Sequence, residues 1–212
     1  MREKIREYIE VIAVFITGIL KFIFLNILQM RAIYIISICL CWFLYVYFKY
    51  RSNPKILEYW GFRSENFKSS VIFILPFTIF SIIVFTLYAI LKNTDIFNIH
   101  ILPIFILYPL WGLIQQFIMI GIIFQTLKNS RKIKLTENQT IMIICSIFSI
   151  VHFPYLWLMI FTFFMEYLFV KVFLKYRNIW AIGLHHGWIA TFLLFYGQNR
   201  DLFEEMIMWF RN

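Results

Sequence analysis

Cysteine is scarce in this chain, and the arrangements that usually give it a function are missing. The three cysteines, Cys39, Cys41 and Cys145, all lie in apolar stretches, and neither a CxxC pair nor a Cys/His zinc spacing occurs. These absences exclude a disulfide framework and a zinc-finger-like module. Buried free thiols are the expectation for all three.

Alternating polar and apolar residues, internal repeats and low-complexity tracts are absent as well. The apolar runs are long and uninterrupted, which excludes a β-barrel and favours helices. What the chain has in excess is apolar and aromatic residues: it is 62% hydrophobic, with 26 Phe, 12 Tyr and 7 Trp, and its mean hydropathy is +0.77. A soluble domain of 212 residues has too little interior to hide this surface. The predicted fold class is therefore all-α, a polytopic integral membrane helical bundle.

Membrane-spanning helices need about 20 apolar residues each. We predict about seven spans, with six to eight allowed, inside a single membrane domain over residues 1–212, and Pro154 is expected to separate the fifth from the sixth. The predicted spans are 11–28, 32–48, 71–91, 101–127, 140–154, 155–176 and 179–197.

Positive charge predicts the orientation of these spans. Acidic residues number only 11 against 20 Lys and Arg, so the formal net charge is +9. Most of the basic residues fall in alternate connections, which places the N-terminus in the cytoplasm of a multi-pass plasma-membrane protein. A basic cytoplasmic face meets anionic lipid, and the lipid bilayer rather than nucleic acid is the expected partner.

Several amides and imidazoles interrupt the apolar runs. Gln115 and Gln116 are adjacent in one run, His152 ends the phrase FSIVHFP, and His185 and His186 lie in NIWAIGLHHGW. Polar groups at membrane depth face other helices or line a wet cavity, so the glutamines either bond to a neighbouring helix or reach a cavity. His152 either donates to a backbone carbonyl near Pro154 or serves as a base or metal ligand.

The two adjacent histidines cannot share a helix face. We expect one in the core and the other at a wetter surface. The flanking Gly183 and Gly187 allow another helix to come close. The HExxH spacing is missing, yet a divalent metal such as zinc, held by His152 and His185, stays open as a cofactor.

Glu166 is the acid in the sixth predicted span. An intramembrane carboxylate is rare and usually functional, although a structural role is the alternative.

The series WGLIQQFIMIGIIFQTL, FSIVHFP and NIWAIGLHHGW resembles the CAAX protease and bacteriocin-processing family. These intramembrane peptidases include abortive-infection proteins and the type II CAAX prenyl endopeptidases. The family pattern is Glu-Glu-x-x-x-Arg, then Phe-x-x-x-His, then His-x-x-x-Asn or Asp. Phe148 and His152 match its second part and His185 begins its third. The resemblance covers residues 101–197, which makes 1–100 an accessory set of helices.

The chain departs from the family pattern at several positions. Gln115 and Gln116 stand in place of the two glutamates, Ile120 in place of the arginine and Ile189 in place of the final Asn or Asp. The resemblance implies that a glutamate and the first histidine activate water, and that the last histidine stabilises the oxyanion. An amide takes no proton at neutral pH, so Gln115 can orient water while the base role falls to His152.

The resemblance implies a catalytic set of Gln115, Gln116, His152 and His185, expected to converge on a common cavity. Supporting roles are expected for Phe148, Glu166, His186 and Trp188, with Glu166 a candidate to replace the missing carboxylates. Three functions follow: a peptidase with a glutamine variant of the site, acting on a peptide or prenylated protein; a non-catalytic member that serves in bacteriocin self-immunity or binds membrane proteins; or a small transporter. The partners are accordingly a peptide or membrane protein together with the bilayer.

Overall fold

The computed structural model describes residues 2–130 and 132–211; Met1, Arg131 and Asn212 lie outside them. These residues form α-helices with no strand among them. The helices are Arg2–Phe22 (α1), Arg31–Ser52 (α2), Ile56–Trp60 (α3), Phe67–Leu91 (α4), Ile101–Gln116 (α5), Gln125–Lys128 (α6), Glu137–Ile150 (α7), Leu156–Tyr176 (α8), Ile179–Phe192 (α9) and Leu202–Arg211 (α10). Segments of π-helix extend three of them, at Ile23–Ile27, Phe117–Phe124 and Leu193–Gly197.

The predicted polytopic helical fold is confirmed. Each of the seven predicted spans overlaps a helix, and five helical stretches within the described residues are long and apolar enough to cross a membrane; the predicted spans 11–28 and 140–154 are not among these five. The shorter helix α7 is also apolar. The break predicted at Pro154 is present as well, because α7 ends at Ile150 and α8 begins at Leu156.

The chain divides into two compact units. The first comprises Met1–Trp60 and Ile118–Glu166. Within it, the Glu10 carboxylate on α1 accepts hydrogen bonds from the Tyr45 hydroxyl and from the Lys49 ammonium of α2, the latter at 2.7 Å. These bonds give the acid and the ammonium partners inside an otherwise apolar helix pair.

Two further bonds tie the rest of the first unit together. The Gln125 amide on α6 donates to the Tyr59 carbonyl of α3 at 2.7 Å. The Ser149 hydroxyl on α7 donates to the Met159 carbonyl of α8 at 2.8 Å. Each side-chain donor therefore satisfies a backbone carbonyl on another helix.

The second unit comprises Gly61–Phe117 and Tyr167–Asn212. Its central element is α9, which packs against both α4 and α5. The start of α9 is fixed by the fully buried Asn178, whose side-chain oxygen accepts a hydrogen bond from the Ala181 N–H at 3.1 Å. The same amide donates to the backbone carbonyls of Arg63 at 2.7 Å and Glu65 at 3.0 Å. One side chain thus caps the helix and attaches it to the loop before α4.

We expect Asn178→Ala to lower the free energy of unfolding by about 1–3 kcal/mol, because it removes a buried helix cap and the donor that joins α9 to the carbonyls of Arg63 and Glu65. Asn178→Ser keeps an acceptor for the Ala181 N–H but is too short to reach the loop, so its loss should be intermediate. Unfolding of the detergent-solubilised protein in a graded SDS titration measures the effect. Equal midpoints for the parent and both variants would contradict this role.

Candidate functional site

The two adjacent histidines of α9 bond to two different helices of the second unit. His185 places Nδ1 2.7 Å from the Thr78 hydroxyl of α4. His186 places Nδ1 2.9 Å from the amide nitrogen of Gln116 on α5. This confirms that the two rings leave α9 in different directions. Both are buried, with 0% and 4% of their surface exposed, so the expectation of a wetter surface for one of them is wrong; α4 and α5 cover one ring each.

Glycines let α9 approach α5 closely enough for these bonds. A Cβ added at Gly183 would lie 2.6 Å from the Cα of Leu113, and one added at Gly187 would overlap the backbone of Pro109. Across the same contact, a Cβ at Gly112 would lie 2.6 Å from the Gly183 carbonyl oxygen. The predicted close approach at Gly183 and Gly187 is therefore confirmed, and the partner is α5.

Gln116 and Gln115 have different surroundings. Gln116 is fully buried, and its NH₂ group donates to Nδ1 of His186, which requires the proton of a neutral His186 ring to be on Nε2. Gln115 is half-buried, and its side chain makes no hydrogen bond to the residues that the structure describes. Gln116 therefore meets a neighbouring helix, as expected for one amide of the pair, and the expectation that the other reaches a cavity stays a prediction.

His185 has one ring nitrogen engaged and the other available. Its Nε2 is buried and makes no hydrogen bond of normal geometry to residues 2–130 or 132–211, although the ring has a weaker hydrogen bond with the Val71 backbone. The edge of the ring meets Trp188 at a centroid distance of 5.4 Å, and Trp188 in turn stacks on Phe105 at 5.5 Å. An orphaned polar atom inside a packed protein costs about 1–3 kcal/mol. Such a cost is offset when a ligand supplies the missing partner.

His152 belongs to the first unit and sits in the turn after α7. Its Nδ1 lies 2.8 Å from the Phe148 carbonyl oxygen, and the two rings meet edge to face at 5.1 Å. A carbonyl only accepts, so Nδ1 carries a proton and Nε2 of the neutral ring holds a lone pair. The predicted bond to a backbone carbonyl is confirmed. It leaves Nε2 in the form that a base or a metal ligand requires.

Glu166 also belongs to the first unit and is fully buried. It interacts electrostatically with the thiol of Cys145, which is itself buried. Its predicted replacement of the missing carboxylates stays a prediction. So does the convergence of Gln115, His152 and His185, because His152 lies in one unit and the other two lie in the second.

A further cluster of ionisable groups was not anticipated from the sequence. Within the described residues, donor atoms of His100, Asp201 and Glu204 lie within 4.8 Å of one another, the one group of three such residues close enough to hold a metal ion. The group includes neither His152 nor His185. No sequence signal joins these residues, since His100 precedes α5 and the other two lie about a hundred positions later.

Hydrogen bonds already account for the acid at the centre of this cluster. The Asp201 carboxylate accepts from the His100 ring at 2.7 Å and from the Asn98 amide at 2.8 Å. It also caps α10 by accepting from the Glu204 N–H at 3.0 Å. Partial burial works to raise the pKa of Asp201, but the bonds from Glu204, His100 and Asn98 together hold that pKa below its ordinary value. The cluster therefore fastens α10 to the loop before α5.

Comparison with known proteins gives one match. Residues 97–192, just under half of the chain, match a protein-family model described as Type II CAAX prenyl endopeptidase Rce1-like. The match confirms the resemblance that the three motifs indicated. At the level of the family it supports a CAAX protease-like intramembrane peptidase. No curated protein matches the chain, and no solved structure does.

Proposed function

We propose that this protein is a membrane peptidase that cleaves a peptide or a prenylated protein with a glutamine variant of the family site. The observation that carries the proposal is His185: its Nδ1 is held by Thr78, and its buried Nε2 makes no hydrogen bond of normal geometry in the described part of the chain. An imidazole N–H fixed in this way is suited to donate to the oxyanion that forms when water adds to a peptide carbonyl. The family match to residues 97–192 supports the same assignment.

The proposed reaction is a hydrolysis in which His152 acts as the base. Its Nε2 lone pair takes a proton from water as the water oxygen bonds to the scissile carbonyl carbon. The family pattern implies that the last histidine, here His185, donates to the carbonyl oxygen that becomes negatively charged. The proton on His152 passes to the departing amine as the C–N bond breaks. Gln115 orients the water through its unengaged amide, and the expected setting is the plasma membrane.

The histidines give the direct test of this function. We expect His152→Ala and His185→Ala each to lower kcat/KM for a prenylated CAAX-type peptide by about 10²–10³-fold, because each removes a base or an oxyanion donor. The assay uses the purified protein in liposomes. His100→Ala is the matched control, since His100 lies outside the motifs and should leave the rate near that of the parent.

Equal rates for the parent and both motif variants, or no cleavage by any of the three, would reject the peptidase function.

One observation favours a second function, a non-catalytic immunity or membrane-protein-binding role. Both members of the acid pair are amides here, and Gln116 is already committed to His186. If this second function is correct, His152→Ala and His185→Ala should keep the immunity or binding function. Their abundance in membranes checks that both variants are correctly inserted.

A further inference from the structure

The hydroxyl of Thr78 forms a different hydrogen bond from those of Ser81 and Thr86 on the same helix. On α4, Ser81 donates to the carbonyl of Phe77 and Thr86 donates to the carbonyl of Ile82, each at 2.8 Å and each four residues back. This is the ordinary arrangement for a hydroxyl in a helix. Thr78 instead meets Nδ1 of His185 at 2.7 Å, on another helix. Its hydroxyl is therefore directed at the histidine rather than at its own backbone.

The donor in the hydrogen bond between Thr78 and His185 follows from the protons that each group carries. Thr78 is 1% exposed, so water does not compete for its hydroxyl. If Nδ1–H of His185 donated to Thr78, the hydroxyl proton would have no acceptor among the described residues, at a cost of about 1–3 kcal/mol. If the hydroxyl donates instead, its proton and Nδ1 are both satisfied, and the ring proton is left for the Val71 backbone, with which the ring also interacts. The proton of the neutral His185 ring then lies on Nε2.

We propose that Thr78 is a positioning residue that holds His185 in its Nε2–H form, with that N–H directed into the reaction site. This inference rests on the proposed function for the role of the N–H, and on the hydrogen bond alone for the tautomer. Thr78 lies on α4, before the residues 97–192 that match the family model. The site thus depends on a helix outside the matched segment.

The tautomer can be read without any assay of cleavage. Solid-state NMR of the protein in lipid bilayers, with ¹⁵N in the histidine rings, separates protonated from unprotonated ring nitrogens; the His185 signals are assigned by their loss in His185→Gln. We expect the parent to show a proton on Nε2 and an unprotonated, hydrogen-bonded Nδ1. Thr78→Val should shift the Nδ1 signal, since the valine has nearly the same shape but no hydroxyl. Thr78→Ser should restore the parent signal.

Thr86→Val is the matched control, the same substitution on the same helix at a hydroxyl that bonds back to Ile82. It should leave the His185 signals unchanged. In the peptidase assay, Thr78→Val should lower kcat about 10–100-fold with little change in KM, because the oxyanion donor is less well held. Thr78→Ser should recover most of that rate.

A proton on Nδ1 of His185 in the parent would overturn the proposal, and this measurement needs no variant to fold. Identical His185 signals in the parent and in Thr78→Val would overturn it as well. If the parent cleaves no peptide while the NMR results are as expected, the proposed function fails, but the inference that Thr78 keeps the His185 proton on Nε2 is supported.

Discussion

Replacing Gly187 by alanine is expected to lower the free energy of unfolding by about 1–3 kcal/mol or more, the cost of overpacking a tight interface. The added Cβ would overlap the backbone of Pro109 and lie 2.7 Å from the carbonyl carbon of Tyr108. Backbone atoms cannot rotate away as a side chain can, so α9 must move away from α5. The separation also stretches the bond between Gln116 and His186, which spans the same two helices.

The measurement is the midpoint of unfolding in a graded SDS titration, with peptidase activity as a second readout. Gly18 on α1 provides the control, because a Cβ added there meets no atom within 4 Å. We expect Gly18→Ala to leave the free energy of unfolding unchanged or to raise it by up to about 1 kcal/mol, because alanine has the higher helix propensity. Similar midpoints for Gly187→Ala and Gly18→Ala would show that the close packing of α5 and α9 does not stabilise the protein.

Restoring an acid at Gln115 is expected to raise kcat/KM for peptide cleavage by about 10²-fold or more, the contribution of a positioned general base. The amide of Gln115 cannot accept a proton, whereas a carboxylate can. The position is suitable because the side chain is half-buried and makes no hydrogen bond to the described residues. Gln115→Glu therefore supplies a base without breaking an existing contact.

Gln116→Glu makes the same chemical change one residue along and serves as the comparison. Gln116 donates to Nδ1 of His186, and a carboxylate has no proton to donate there. This variant should give no gain in rate and should lower stability. If Gln115→Glu, Gln116→Glu and the parent cleave at the same rate, the missing acid is not what limits the protein, and the non-catalytic role is favoured.

Some features of this protein were determined by the sequence by itself. The lengths of the apolar runs placed the long helices, because a membrane fixes the length of a spanning helix, and Pro154 marked the break between α7 and α8. The four-residue spacing of Phe148 and His152 predicted that the two residues lie close together, and the His152 ring bonds to the Phe148 carbonyl in the turn that ends α7. Gly183 and Gly187 marked a close helix contact, since small residues allow backbones to approach.

The tertiary structure decided which partners these residues meet. It assigned Gln116 rather than Gln115 to His186, and it brought Thr78 to His185. It also joined Asn178 to the loop before α4. None of these pairings has a local signal in the sequence.

The physical reason lies in the solvent. In a water-soluble helix the apolar stripe shows which face is buried, but in a membrane both the lipid-facing and the protein-facing sides are apolar. The sequence therefore indicates which stretches form the long helices without indicating the rotation or the neighbours of each helix. Those depend on packing and on the pairing of the few polar groups, which only the folded chain brings together.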